Sequence, residues 1–154
     1  MRHLAEVMTL TLCVLLQVAG TWGSEADTSE NRARTFFMQF IELGQTFDPT
    51  LADLYADEAR VVSVRKYPNG AERTLEMKGV EYKALIREVM PIAKARGDTN
   101  AYADVSYQRD GSRIRIRATR FSALKKYASP YSLVVGPDTS GRWLIYEERS
   151  ITKP

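Results

Sequence analysis

The stretch "LADLYADEARVVSV", residues 51–64, decides where the chain changes from helix to strand. Asp48 and Pro49 stand just before it, and this pair is typical of a helix start, because Asp accepts from free amides of the first turn and Pro fits the first helical position. The second half of the stretch alternates loosely between apolar and polar residues, as strands do. The stretch therefore predicts a short helix that passes into a strand, with the acids Asp57 and Glu58 at the junction.

The flanking sequence supplies the other elements. Upstream, the apolar spacing predicts a helix from Asp27 that ends at Gly44. Downstream, a third helix over residues 79–96 is stopped by Gly97, and Pro91 should kink it or shorten its regular part to end near Met90. Strands are predicted at residues 60–67, 71–77, 101–108, 113–123, 131–135 and 143–151. This order predicts an α+β fold in which three helices of the N-terminal half pack on a curved, mainly antiparallel sheet of about six strands.

The composition is that of one ordinary globular domain. Of the 154 residues, 44% are hydrophobic and 27% are charged, which is enough for one domain with a modest core. The 22 basic and 19 acidic residues are spread along the chain, so no basic arm is present and nucleic acid is not an expected partner.

The first segment is predicted to be a signal peptide. Arg2 and His3 precede an apolar run, residues 7–19, which has the length of a signal-peptide core and is too short for an ordinary transmembrane span. We expect residues 1–23 to be removed and residues 24–154 to form one domain that is exported, periplasmic or secreted, without a stable membrane anchor after cleavage. The alternative interpretation is a buried N-terminal helix.

Cleavage would limit the chemistry available to the protein. The chain's one Cys, Cys13, and its one His, His3, both lie in the predicted signal peptide. The mature chain would then have no thiol nucleophile, no Ser-His triad and no His or Cys ligand for zinc, so we expect neither a metal nor a cofactor. Any acid–base chemistry would use Asp, Glu, Lys or Tyr.

Two motifs carry a resemblance to a known family. The segments "LYADEARVV" (54–62) and "GRWLIYEERS" (141–150), in this order of elements, resemble the NTF2-like superfamily, also called SnoaL-like or cystatin-like cones. The resemblance covers nearly all of residues 24–154. It implies a cavity between the concave face of the sheet and the helices, which the superfamily uses for small and often apolar molecules.

The catalytic residues of known subfamilies are not carried over by this resemblance. In the steroid isomerases of the superfamily, the general base is an Asp five residues beyond the second acid of the first motif. Here that count from Glu58 reaches Ser63, so Asp57 and Glu58 are interpreted as a polar helix end and strand lead-in. SnoaL-type cyclases use an Asp supported by His, and the mature chain would have no His.

Candidate site residues follow from the strand pattern. Tyrosines suited to polar contacts in an apolar cavity are Tyr55, Tyr82, Tyr102, Tyr107, Tyr131 and Tyr146. The predicted ligand-binding set is Phe37, Phe40, Tyr55, Tyr82, Tyr107 and Tyr146. The weak catalytic candidates are Asp104, Glu148 and Tyr102, on the hypothesis that Asp104 pairs with Tyr102, or Glu148 with Tyr146, in a buried carboxylate–phenol pair of raised pKa.

The strand "SRIRIRATRF" (112–121) has two different faces. Ile114 and Ile116 point to one side, which is the natural inside. The other side carries Arg113, Arg115 and Arg117, which we call the Arg row. The row is interpreted as a solvated or dimer face paired with Asp104, Glu147 or Glu148, and the alternative is an anion-binding surface. The predicted interface residues are Arg113, Arg115, Arg117 and Trp143.

Two functions from different classes remain open at this point. One is an exported module without catalysis, most simply a homodimer, that binds a small apolar molecule or an envelope protein. The other is an isomerase, dehydratase or cyclase that uses an Asp or Glu base and a Tyr donor. A buried carboxylate of raised pKa inside the cavity would favour the enzyme.

Overall fold

A computed structural model describes residues 22–154 of the chain, with side chains from residue 28 onward. The helices are α1 (Trp22–Thr46), a short 3₁₀ helix (Pro49–Leu54) and α2 (Gly79–Arg96). The strands are β1 (Tyr55–Lys66), β2 (Glu72–Lys78), β3 (Asn100–Asp110), β4 (Arg113–Ser122), β5 (Tyr127–Pro137) and β6 (Trp143–Thr152). The signal-peptide hypothesis for residues 1–23 falls almost wholly outside the described residues. Within them, no helix combines the length and apolarity needed to cross a bilayer.

The strands form one six-stranded sheet in the order β2-β1-β6-β5-β4-β3. All neighbouring strands are antiparallel except β1 and β6, which run parallel. The predicted α+β class, with three helices on a curved and mainly antiparallel sheet, is confirmed.

The start of β1 differs from the sequence prediction. The strand begins at Tyr55, so Asp57 and Glu58 lie in an irregular part of β1 and do not form a helix end. The first residue of α2, Gly79, crosses this segment so closely that a Cβ there would lie 1.8 Å from the Ala56 carbonyl oxygen. Only glycine allows this approach, and the approach holds the start of β1 under α2.

Helix α2 otherwise follows its predicted bounds. It runs from Gly79 to Arg96 and ends at Gly97, whose φ of 60° is left-handed as predicted. The helix continues through Pro91, so the predicted shortening near Met90 is wrong. Pro91 is exposed, and buried Ile86 and Met90 pack the turn that precedes it on the core.

The sheet has an inner face that packs on the helices and an outer face. On β4 the inner positions Ile114, Ile116 and Ala118 are buried, which confirms the prediction that the Ile face is inside. The register pairs Ile116 with Leu133 of β5, and Leu133 with Glu148 of β6. Phe37 and Phe40 of α1 belong to the same core. The core therefore lies between the inner face and the helices, and the inner face forms one wall of any enclosed site.

Candidate functional site: a cavity with a buried carboxylate

A cavity of about 280 Å³ lies between the inner face and the helices. Its walls come from the end of α1, the 3₁₀ helix, the start of β1, α2 and strands β3 to β6. Most of the lining is apolar or aromatic, as in Phe40, Leu51 and Ile86. A small set of polar groups interrupts it, and this combination is usual in small-molecule sites.

Glu148 is the buried carboxylate of the cavity. Its side chain is 5% exposed, and it accepts a short hydrogen bond from the hydroxyl of Tyr55, which is 2% exposed. Tyr55 is the first residue of β1 and Glu148 lies in β6, so the parallel pairing of these strands brings the two groups together. Burial of a carboxylate costs free energy, which its hydrogen bonds offset only in part.

The surroundings of Glu148 favour its protonated form. Burial raises the pKa of Glu148 above its ordinary value. This effect outweighs the hydrogen bond from Tyr55 and the positive charge of Arg120, both of which lower the pKa. A carboxyl group in this state can accept or release a proton nearer to neutral pH than an exposed one.

Four tyrosines surround this carboxyl group. Tyr55 meets Tyr82 edge to face at 5.1 Å between ring centroids, and Tyr102 meets Tyr131 at 5.2 Å. Burial raises the pKa of Tyr102 and Tyr131, so both hydroxyls stay protonated and remain donors. For Tyr82, whose pKa is also raised, the charge of Glu148 is the largest cause.

The Tyr131 hydroxyl is the donor best placed to receive a ligand. It contributes to lowering the pKa of Glu148, so it lies near the carboxyl group. Its oxygen is nevertheless buried without a hydrogen bond of normal geometry within residues 28–154. Since an unpaired buried hydroxyl is costly, the geometry suits an additional partner in the cavity.

Arg120 brings a positive charge to the same wall. Its Nη2 donates to the Ile151 carbonyl oxygen at 2.9 Å, and its guanidinium lies 5.7 Å from the ring centroid of Tyr131. Sequence reasoning missed this residue. The alternation of β4 could have identified it. Arg120 is an even number of residues from Ile114 and Ile116, so its side chain lies on the inner face, unlike those of the Arg row.

The structure brings five of the predicted site residues together. Lining the cavity are Phe40, Tyr55, Tyr82, Tyr102 and Glu148. The hypothesis of a buried Glu148–phenol pair has the right carboxylate, but the phenol is Tyr55 and not Tyr146. Phe37 is buried behind the cavity, where it stacks on Phe40 at 5.9 Å.

Three predicted site residues lie elsewhere. Asp104 is exposed at a β-bulge, where it accepts from the Thr119 hydroxyl at 3.1 Å, so its proposed buried pair with Tyr102 is wrong. Tyr107 is half-buried under the guanidinium of Arg34, at 4.3 Å. Tyr146 is the extra residue of a bulge in β6, and the Arg113 guanidinium covers its ring at 3.4 Å.

The Arg row lies on the outer face. Arg115 donates to Asp110 and Glu147, each at 2.8 Å, and Arg117 donates to the Gln108 side chain. Of the three acids predicted to pair with the Arg row, Glu147 does so. Glu148 points inward, and Asp104 accepts from Thr119. Trp143 lies on the α1 side, beside Phe36 and Gln39, and not with the row. The dimer interface stays a prediction.

Metal-ligand clusters do not occur in the described part of the chain. No protein-family model matches the sequence, and a search of curated proteins finds no relative. Solved structures do match in fold. An NTF2-like protein of unknown function from Pseudomonas putida is 13% identical, with a TM-score of 0.63 over 80% of this chain and 85% of that one.

Two further structures agree with this match. An NTF2-like protein with a cystatin-like fold from Novosphingobium aromaticivorans is 12% identical, with a TM-score of 0.56 over 86% of this chain and 89% of that one. A protein of the NTF2-like family from Streptomyces avermitilis, provisionally assigned as a dehydratase, is 19% identical, with a TM-score of 0.59 over 81% and 96%. The chain thus has the NTF2-like fold that its motifs suggested.

Proposed function

We propose that this NTF2-like chain binds a small molecule in the cavity between its inner sheet face and its helices. One observation carries the proposal: a buried carboxyl group, Glu148, and a buried hydroxyl, Tyr131, which has no hydrogen bond of normal geometry within residues 28–154, line the same cavity. Polar groups placed in a mainly apolar cavity are the groups that fix the orientation of a ligand.

The lining indicates what kind of molecule fits. The aromatic and aliphatic walls suit a body of one or two rings or a short alkyl chain, given a volume of about 280 Å³. The Tyr131 hydroxyl would donate to a carbonyl or hydroxyl oxygen of that molecule. Glu148 would accept from a ligand hydroxyl when ionised and donate when protonated.

Filling the cavity tests this proposal. Val89 of α2 lines the cavity, and Ile92, one turn along the same helix, is 52% exposed and outside the lining. We expect Val89→Trp to abolish binding of small ketones, phenols and alcohols in a ligand-observed NMR screen, and Ile92→Trp to leave it unchanged. Circular dichroism should show both variants folded. Equal binding by the two variants, or no binding by the wild type, would contradict the proposal.

A second candidate function is proton transfer catalysed by Glu148. The observation in its favour is the raised pKa of this buried carboxyl group beside protonated phenols. In this hypothesis ionised Glu148 removes a proton from the carbon next to a ligand carbonyl, Tyr131 donates to the enolate oxygen, and Glu148 returns the proton to a carbon of the ligand. This is the isomerase class of reaction.

Deuterium exchange separates binding from catalysis. Carbonyl compounds that bind in the screen are incubated in D₂O with the wild type or with Glu148→Gln. We expect the wild type to accelerate loss of the α-proton signal and Glu148→Gln to reduce that acceleration by at least about a hundredfold, the lower range for general acid–base catalysis. Binding without exchange would leave the binding function alone.

We further propose that the protein works outside the cytoplasm as residues 24–154. Support comes from the sequence pattern of residues 1–23, namely two basic residues, an apolar run and small residues. Native mass spectrometry of protein purified from its own host tests this, because it reports the mature mass, any dimer and any retained molecule. An intact mass that includes residues 1–23 would contradict export by cleavage.

A further inference from the structure

The inner face changes from apolar to basic along its length. On β4 the inner positions read Ile114, Ile116 and Ala118, and then Arg120 and Ser122. Two further strands of the sheet change in the same direction. On β1 and β6 the paired inner positions run from Val61 beside Glu148 to Arg65 beside Thr152. The end of the sheet next to the cavity is therefore polar on the side where a ligand would lie.

A second depression of about 290 Å³ occupies this polar end, and we call it the basic pocket. Its charged residues are Arg65, Arg120, Lys125, Lys153 and one acid, Asp98. Four positive charges stand against one negative charge. The local field therefore favours an anion by a wide margin, although Asp98 opposes it.

The four cations of the basic pocket are not held by carboxylates. Among residues 28–154 none of them is in a salt bridge, whereas the outer-face Arg115 has two. Three of them contact rings instead: Arg65 lies 5.7 Å from the Tyr67 ring centroid, Arg120 lies 5.7 Å from that of Tyr131, and the Lys153 Nζ lies 5.5 Å from that of Tyr127. Aromatic rings orient a cation and leave its charge free for another partner.

Two guanidinium nitrogens also lack acceptors. The Nε atoms of Arg65 and Arg120 are buried and have no hydrogen-bond partner in the described part of the chain. Buried N–H groups of charged side chains are costly when unpaired, and the planar guanidinium fork matches carboxylate and phosphate oxygens. These unpaired donors could bind the oxygen atoms of a carboxylate or phosphate group.

The basic pocket and the cavity adjoin each other. Asp98, Asn100 and Arg120 line both of them. Resting on the proposed binding function, we infer that the natural ligand is amphiphilic: its uncharged body occupies the cavity and its anionic group, a carboxylate or phosphate, lies in the basic pocket between Arg65, Arg120 and Lys153. The proposal narrows the ligand from any small molecule to a small organic acid or phosphate ester.

Matched probes test this directly. 3-Phenylpropanol, 3-phenylpropionate and 3-phenylpropyl phosphate share one body and differ in the end group, and inorganic phosphate supplies the anion alone. We expect at least one anionic probe to bind the full-length wild type about tenfold tighter than the alcohol, which corresponds to about 1.4 kcal/mol, by calorimetry at low salt. The advantage should shrink as salt is raised.

The double variant Arg65→Gln with Lys153→Gln should remove the anionic advantage. Neither residue lines the cavity, so the affinity for 3-phenylpropanol should stay unchanged. Arg109→Gln is the control, because Arg109 lies at the other end of the sheet, opposite Ile114, and should alter nothing. Circular dichroism of each variant confirms that it is folded.

The other outcomes separate the two proposals. If the alcohol binds as tightly as the anionic probes, or the double variant keeps the anionic advantage, the anion site is refuted and the cavity stands. If inorganic phosphate competes as strongly as the phosphate ester, the basic pocket is a separate anion site and the amphiphilic ligand is refuted. If no probe binds and the small-molecule screen is also empty, the binding function itself fails.

Discussion

The two faces of this sheet use the same residue types in opposite ways. On the outer face Arg115 forms ion pairs with Asp110 and Glu147. On the inner face Arg120 forms no salt bridge within residues 28–154, and Glu148, the next residue after Glu147, is buried against Tyr55. A single step along β6 thus separates a surface ion pair from a buried carboxyl group.

This difference separates charges that are exposed and paired from charges that are buried and incompletely paired. Charges that are exposed and paired contribute little and cost little. Charges that are buried and incompletely paired lower stability, and folds keep such groups mainly at sites of binding or catalysis. This pattern supports the proposed binding site on the inner face.

The largest expected effect comes from breaking the apolar part of the inner face. Ile116 is 1% exposed, so Ile116→Ala should lower the free energy of unfolding by about 2–5 kcal/mol through lost burial and the cavity left behind. Its exposed neighbour Arg117 is the control, and Arg117→Ala should change the free energy of unfolding by less than about 0.5 kcal/mol. Urea denaturation of both variants measures the difference. Similar losses would mean that the outer face is also covered.

A smaller loss should follow from removing the phenol that faces Glu148. Tyr55→Phe leaves a buried carboxyl group without its hydrogen bond, which should cost about 1–3 kcal/mol. The cost should be larger at pH 8 than at pH 4, because the ionised carboxylate depends more on the donor.

The same change on the outer face provides the control for Tyr55→Phe. Tyr146 donates only a long bond, 3.4 Å to the Pro137 carbonyl oxygen, so Tyr146→Phe should be nearly neutral at both pH values. Urea denaturation at pH 4 and pH 8 measures the change in the free energy of unfolding for each of the two variants. A Tyr55→Phe effect that did not depend on pH would show that Glu148 keeps one protonation state over this range.

Replacing Glu148 should raise stability at neutral pH. Because burial raises its pKa, the folded protein binds more protons than the unfolded chain between the ordinary value of 4.5 and the raised value. Wild-type stability therefore falls as the pH rises through that window. Glu148→Gln lacks this dependence, so its melting temperature relative to the wild type should increase with pH and then level off.

The neighbouring carboxylate gives a matched comparison for Glu148→Gln. Glu147→Gln removes one partner of Arg115 on the outer face, so it should lower stability slightly at neutral pH and not raise it. Melting temperatures across pH 4 to 8 distinguish the two. A Glu148→Gln variant less stable than the wild type at pH 8 would show that the carboxylate is a structural group and not a strained one.

Much of the fold could be predicted from the sequence, because each element has a regular apolar period and a clear stop. The helix over residues 79–96 and the hairpin after β1 illustrate this. The start of β1 could not be predicted in the same way, because its register shifts between Tyr55 and Arg60 and an irregular strand has no period of two.

The site was harder to predict for the same reason. A bulge at Tyr146 puts both Ile145 and Glu148 on the inner face, whereas strict alternation would put them on opposite faces. The partner of Glu148 comes from a parallel strand 93 residues earlier, a contact that no local pattern records. Arg120, by contrast, keeps the parity of its strand and could have been found from the sequence.

The smallest effect should come from the outer ion pairs. Arg115 is partly exposed, with 25% of its side chain accessible, so Arg115→Gln should cost about 0.2–1 kcal/mol at low salt despite its two partners. About 1 M salt should remove most of this cost, because exposed charges are screened over a few ångströms. Arg117→Gln, which loses a bond to Gln108 and no carboxylate, should show no such salt dependence. A loss for Arg115→Gln above 2 kcal/mol that persists in salt would mean that the row is buried in solution, as the predicted dimer face requires.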